Sequence, residues 1–285
     1  MKKLFGEMNL TWKRTILFAI IAGVYTAIMA MIPMAKDTSF ADITVSFEVW
    51  IFFGIFIIMN SKSAKDSALK CLVFFLISQP LVYLIQDAIK HSNLFITYYR
   101  NWIFWTIATI PMGFIGYYMK KDEWWGLLIL APILVFLGEH YSTYLSKTMF
   151  SFPYHLLTTL FCLITLIIYP IAIFNNKKNK IVGIVISILI IIVMTGLAFS
   201  KPAVYNTTIF VNGEEHKFDN TYKVYLTDES FGKVFIVFEK NIDDYMVNAE
   251  FKKAGKAELV LESPKGEKEI FEIDIKDHTY SVNKK

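Results

Sequence analysis

The sequence predicts an α-helical polytopic membrane protein, with seven transmembrane helices followed by a C-terminal extracytoplasmic all-β sandwich of immunoglobulin-like architecture. Three observations predict it. Seven apolar runs, each bounded by charges, lie between Thr15 and Phe199. Lys and Arg fall on alternate connections between those runs. Beyond residue 200 the pattern changes to polar, alternating segments of strand length.

The runs read as Thr15–Met34, Ile43–Met59, Leu69–Ile89, Trp102–Met119, Trp124–Tyr141, His155–Phe174 and Ile181–Phe199. Stretches near 20 apolar residues match a hydrocarbon layer about 30 Å thick at about 1.5 Å rise per residue. The chain is 55% hydrophobic and only 19% charged over 285 residues, unlike a soluble domain of that length. Residues 1–14 form a basic lead segment and 15–174 a six-helix domain. Helix 181–199 carries no ionisable residue and reads as a tether to the module 200–285. Leu4, Met8 and Trp12, spaced by four, predict a short interfacial helix before the first span. The first run exceeds the 7–15 residues of a secretory signal, so it reads as a retained anchor.

Charge sets the expected orientation. The N-terminal segment and the even connections carry Lys2, Lys3, Lys13, Arg14, Lys62, Lys65, Lys70, Lys120, Lys121, Lys177, Lys178 and Lys180. The odd connections carry only Lys36, Lys90, Arg100 and Lys147. The positive-inside rule then puts the N-terminus in the cytoplasm and the C-terminal domain outside. Aromatics are expected at both interfaces, with Tyr98, Tyr99 and Trp102 outside and Tyr117, Tyr118, Trp124 and Trp125 inside. Apart from Arg14 and Arg100 every basic residue is lysine, and Ile, Phe and Asn abound, the composition of an AT-rich bacterial genome.

The two parts differ in charge. Residues 1–199 hold 16 basic and 9 acidic groups, and residues 200–285 hold 13 and 16. An acidic tail excludes nucleic acid as a partner and leaves the lipid bilayer, with an envelope or membrane protein engaged through residues 200–285. Both cysteines, Cys71 and Cys162, lie in apolar runs, so the outer module has no disulfide. Within it, Asn212-Gly213 predicts a type I′ hairpin between Val204–Val211 and Glu214–Phe218. Further strands are expected at Tyr222–Leu226, Lys233–Phe238, Tyr245–Phe251, Ala257–Leu261, Ile270–Ile275 and Thr279–Val282.

Ionisable residues near membrane spans need a reason. Glu48, Asp87, His91, Glu139, His140 and His155 all fall towards the outer rim and form the candidate ligand site. Glu139, His140 and His155 are the weaker metal candidates, since two imidazoles and a carboxylate suit zinc, though no pair has a metalloprotease spacing. Water satisfies charges at an interface without any site, which is the simpler reading. Glu48 is the sharper case, lying more than a turn into the second run. Gln79 beside Pro80 is expected to satisfy carbonyls freed at a kink, Thr106 and Thr109 to bond their own helix, and Gly113 and Gly116 to allow close helix approach.

No glycine-rich phosphate loop follows a strand, no lysine sits in the seventh run to hold retinal, and no G-x-S-x-G occurs. No cofactor is implied and no catalytic residue is assigned. The favoured expectation is a bacterial cell-membrane protein presenting its β domain for interaction, sensing or envelope assembly. The alternatives are a small-molecule carrier or binding component with an outward-facing polar pocket, and a membrane-embedded hydrolase or transferase.

Overall fold

The computed structural model describes residues 5–36, 38–90, 95, 99–213, 217–239, 243–276 and 279–285. Lys2, Lys3, Leu4, His91, Tyr98 and Glu214, to which expectations attach above, lie outside the described residues. Two compact units are present: residues 1–142 with 157–195, and residues 143–156 with 196–285.

Among the described residues there are eight α-helices: α1 Trp12–Met31, α2 Ser39–Val45, α3 Phe47–Met59, α4 Ala64–Lys90, α5 Arg100–Gly116, α6 Trp125–Phe150, α7 Leu156–Ile173 and α8 Lys177–Ser200. Six segments are long and apolar enough to cross a membrane: α1, the α2–α3 pair as one stretch, α4, α6, α7 and α8. Helix α5 has 17 residues and continues into a 3-10 turn over Tyr117–Lys121. Along α5, Phe104, Ile107, Met112 and Ile115 are each more than half exposed.

The second run is not one helix. Ser46 takes an extended backbone (φ −78°, ψ 149°), ends α2 and opens α3. Helix α2 starts ahead of the predicted boundary because the Thr38 hydroxyl accepts the Phe40 amide at its N-terminus. The predicted interfacial helix at the start of the chain is also absent from the described residues. Phe5 to Asn9 form turns, with Phe5 and Leu10 buried and the Met8 and Trp12 side chains exposed.

Those turns belong to one end of the helical unit. Asn60 Oδ1, at the end of α3, accepts the amides of Gly6 (3.1 Å) and Met8 (2.9 Å). Lys70 Nζ, buried in α4, donates to the Leu10 carbonyl and to Asp66 Oδ2, both at 2.7 Å. Lys120 Nζ donates to the Ser61 carbonyl and Tyr117 OH to that of Lys62. Asp122, at φ +59°, accepts the Asn175 amide at 2.9 Å and offers its carbonyl to Asn179. The lead segment and the α3–α4, α5–α6 and α7–α8 connections therefore meet at the same end, and these are the lysine-bearing ones.

Close helix approaches rest on small residues. A Cβ on Gly23 of α1 would lie 2.7 Å from the Ser78 carbonyl of α4, and one on Gly138 of α6 would lie 2.3 Å from Ile190 of α8. Gly113 sits against Ser67 and Ala68 of α4, where the Ser67 hydroxyl bonds its carbonyl at 2.8 Å. Gly116 sits against Ile58. Thr106 and Thr109 bond carbonyls of their own helix, as expected. Helix α4 runs through Pro80 without a break, and the expected rescue by Gln79 does not occur: its buried amide nitrogen makes no hydrogen bond.

In the second unit, strands β1 Tyr205–Val211, β2 Lys223–Leu226, β3 Gly232–Glu239, β4 Asp244–Phe251, β5 Gly255–Glu262, β6 Lys268–Ile275 and β7 Tyr280–Lys284 form two antiparallel sheets. Their orders are β1-β4-β3 and β2-β5-β6-β7. Ile209, Val247 and Phe251 from one sheet share a core with Leu259, Phe271 and Ile273 from the other, and Phe150 from the last turn of α6 joins it. An immunoglobulin constant domain pairs its strands as ABED and CFG; lettered likewise, this module pairs ADC and BEFG. The type I′ turn expected at Asn212-Gly213 does not form, and residues 214–216 of the expected return strand lie outside the described residues. Neither residue has a positive φ, and β1 pairs with β4 instead. Asn212 is committed elsewhere: its side chain donates to Asp244 and accepts the Phe218 amide.

Candidate functional site

Glu48 lies in the first turn of α3, where the partial positive charge of the helix N-terminus favours a carboxylate. The break at Ser46 therefore starts a helix inside the bundle and puts an acidic side chain at its head. Glu48 is fully buried. Its Oε2 lies 3.1 Å from Nδ1 of His140, whose side chain keeps 23% of its surface exposed. Its other oxygen faces the Cys162 thiol of α7 at 3.9 Å. One turn before Cys162, Thr158 donates from its hydroxyl to Asp42 Oδ2 at 3.1 Å and from its amide to the Ser39 hydroxyl at 3.2 Å. Helices α2, α3, α6 and α7 are thus joined by side-chain contacts through an otherwise apolar interior.

Aromatic rings surround the head of α3. Phe47 stacks on Trp102 with centroids 5.1 Å apart and meets Trp105 and Phe136 edge-on at 5.6 and 6.0 Å. Phe136, one turn before His140, lies 4.4 Å from the imidazole ring centre. From these residues a groove of about 990 Å³ runs along α3 between α5 and α6. Trp50, Ile55 and Ile58 line it from α3, Met112 and Ile115 from α5, and Leu128 and Ile133 from α6. Its ionisable lining residues are Glu139, His140 and the thiol Cys71. Gly54 borders open groove space, since a Cβ there would meet nothing within 4 Å.

Of the residues singled out in the sequence, Glu48 and His140 are brought together, with Glu139 beside them at the groove. Asp87 is used locally, its Oδ2 accepting the Phe95 amide at 2.9 Å. His155 belongs to the other compact unit, where it is buried near the Tyr144 ring. Among the described residues no three His, Cys, Asp or Glu side chains gather as a metal site would need. The residues missed at the sequence level are Cys162, Thr158 and Ser39. Their only signal was polar or thiol character inside apolar runs, which core packing explains equally well.

Chemically, the arrangement offers a buried acid and a partly exposed imidazole within hydrogen-bonding range, at one end of an apolar channel wide enough for a small molecule. No protein-family model, curated protein or solved structure gives a significant match to this chain.

Proposed function

We propose that this chain is a membrane-embedded binding component that admits a small amphipathic molecule into the groove between α3, α5 and α6. The buried Glu48–His140 pair at the groove's end is the observation that carries this reading. An unpaired ionised side chain in hydrocarbon costs a few kcal/mol, and such residues typically face a substrate path or a partner. Counting about 1.5 Å per residue from Asn60, Glu48 lies roughly 18 Å from the lysine-rich end of the bundle. In a layer about 30 Å thick that is well inside the membrane.

We read α5 as the seventh crossing. It runs from Trp102, stacked beside the head of α3, to Tyr117 and Lys120, bonded beside its foot. Its 17 residues and the following 3-10 turn together reach about 35 Å. With the lysine-bearing connections in the cytoplasm, the groove's polar end and the β module lie on the extracytoplasmic side of a bacterial cell membrane.

Gly54→Phe tests the reading, because the new ring enters open groove space and displaces whatever occupies it. Native mass spectrometry of the full chain released from its membrane should find a bound small molecule on the wild type and not on Gly54→Phe. Equal occupancy of the two proteins, or none on either, overturns the proposal. A second reading concerns the β module: Phe235 and Phe238 stand exposed on β3, which favours docking of an envelope protein there. In-cell crosslinking from residue 235 should capture a partner that the Phe238→Ser chain loses, and identical capture by both removes this reading.

A further inference from the structure

Resting on that groove, we infer that its ligand is a cationic amphiphile: a single apolar chain ending in an ammonium group. The charge at the groove's polar end is the first reason. The Glu48–His140 pair is neutral when it shares one proton, whichever partner holds it. Glu139, exposed at the groove lining, then adds a negative charge. The lining contains no lysine or arginine. Arg100, two residues ahead of Trp102, is not among the lining residues. A phosphate or sulfate head would meet the Glu139 carboxylate there, with no lysine or arginine lining the groove to offset it.

The rings are the second reason. Phe47, Trp102, Trp105 and Phe136 cluster at the polar end and also line the groove. Aromatic faces attract ammonium ions through their quadrupoles, by about 0.5–2 kcal/mol per contact, and quaternary ammonium recognition depends on them. A carboxylate among stacked rings selects a weakly hydrated cation over a neutral polar head. The tail's environment is the third reason. From Phe47 to Ile58 the groove follows α3 for about 16 Å. Beyond the polar end its lining is apolar but for Thr109, so an alkyl chain loses no hydrogen bond by lying there.

The test uses the full chain in phosphatidylcholine nanodiscs and three probes with a bromine at the tail end: an undecyl trimethylammonium, an undecyl sulfate and an undecanol. Bromine quenches tryptophan on contact, and Trp50, Trp102 and Trp105 line the groove. Quenching is read against probe mole fraction in the bilayer, and only the part abolished by Gly54→Phe is counted. The ammonium probe should half-saturate at a mole fraction at least tenfold lower than either other probe. Glu139→Gln should narrow that gap about fivefold. Equal curves for all three probes, or a preference for the sulfate, overturn the inference while leaving the groove reading intact. If no probe gives quenching sensitive to Gly54→Phe, both fall.

Discussion

Replacing His140 by leucine leaves the carboxyl of Glu48 in the bundle without its imidazole. Removing one partner of a buried ion pair costs about 3–5 kcal/mol, because the other charge stays out of water. Glu48 is fully buried but His140 retains 23% exposure, so the loss should fall below that range, at about 2–3 kcal/mol. Glu48→Leu leaves a histidine that still reaches the groove and should lose about 1 kcal/mol or less. The double variant, two leucines facing each other, should recover to within about 1 kcal/mol of the wild type. Cys71 and Cys162, 2% and 0% exposed, provide the assay. A thiol-reactive dye added during denaturant titration in mixed micelles reads unfolding directly. If the two single losses are equal and the double loss is their sum, the residues are not coupled and the argument built on their proximity collapses.

Gly232 has φ +144°, and a Cβ there would lie 2.0 Å from the Glu250 carbonyl, so Gly232→Ala should open the β module to protease. Gly266, at φ +85° with open space around it, should tolerate alanine at a cost of about 1 kcal/mol. A cysteine appended after Lys285, in a chain with Cys71 and Cys162 changed to serine, should react with an impermeant maleimide in intact cells. Labelling only after lysis would reverse the orientation. Asp219 and Asp228 are held below the usual carboxylate range by hydrogen bonds from Thr221 and Ser230. Their contribution is present above about pH 3.9 and is lost as pH falls through the lowered values. Pepsin cleavage around residues 219–231 should therefore accelerate from pH 4 to pH 2, and less so when both are asparagine.

The helices were legible because length and apolarity act locally: α4, α7 and α8 begin and end within a few residues of their predicted limits. Strands β3 to β7 were legible for the same reason, through alternating or short apolar runs bounded by turn residues. The break at Ser46 was not, since one serine in an apolar run has no periodic signature and its effect comes from α2 packing on α7 through Ser39 and Asp42. The Asn212-Gly213 turn misled because local propensity favours a hairpin, whereas pairing of β1 with β4 and the bonds from Asn212 prevail. Glu48 and His140 were each noticed, but they are far apart in sequence and no spacing rule could join them. His155 was grouped with them by expected depth alone, and its side chain is used in the turn between α6 and α7.

The lead segment has a consequence for synthesis. Phe5 packs against Phe52 and Tyr169, and the amides of Gly6 and Met8 close on Asn60. A ribosome emits those first residues long before Tyr169 appears, so they wait while most of the remaining chain enters the bilayer. Residues made well before Tyr169 are thus among the last to settle. A bulky tag joined ahead of Phe5 should slow that final closure more than the same tag at the far end.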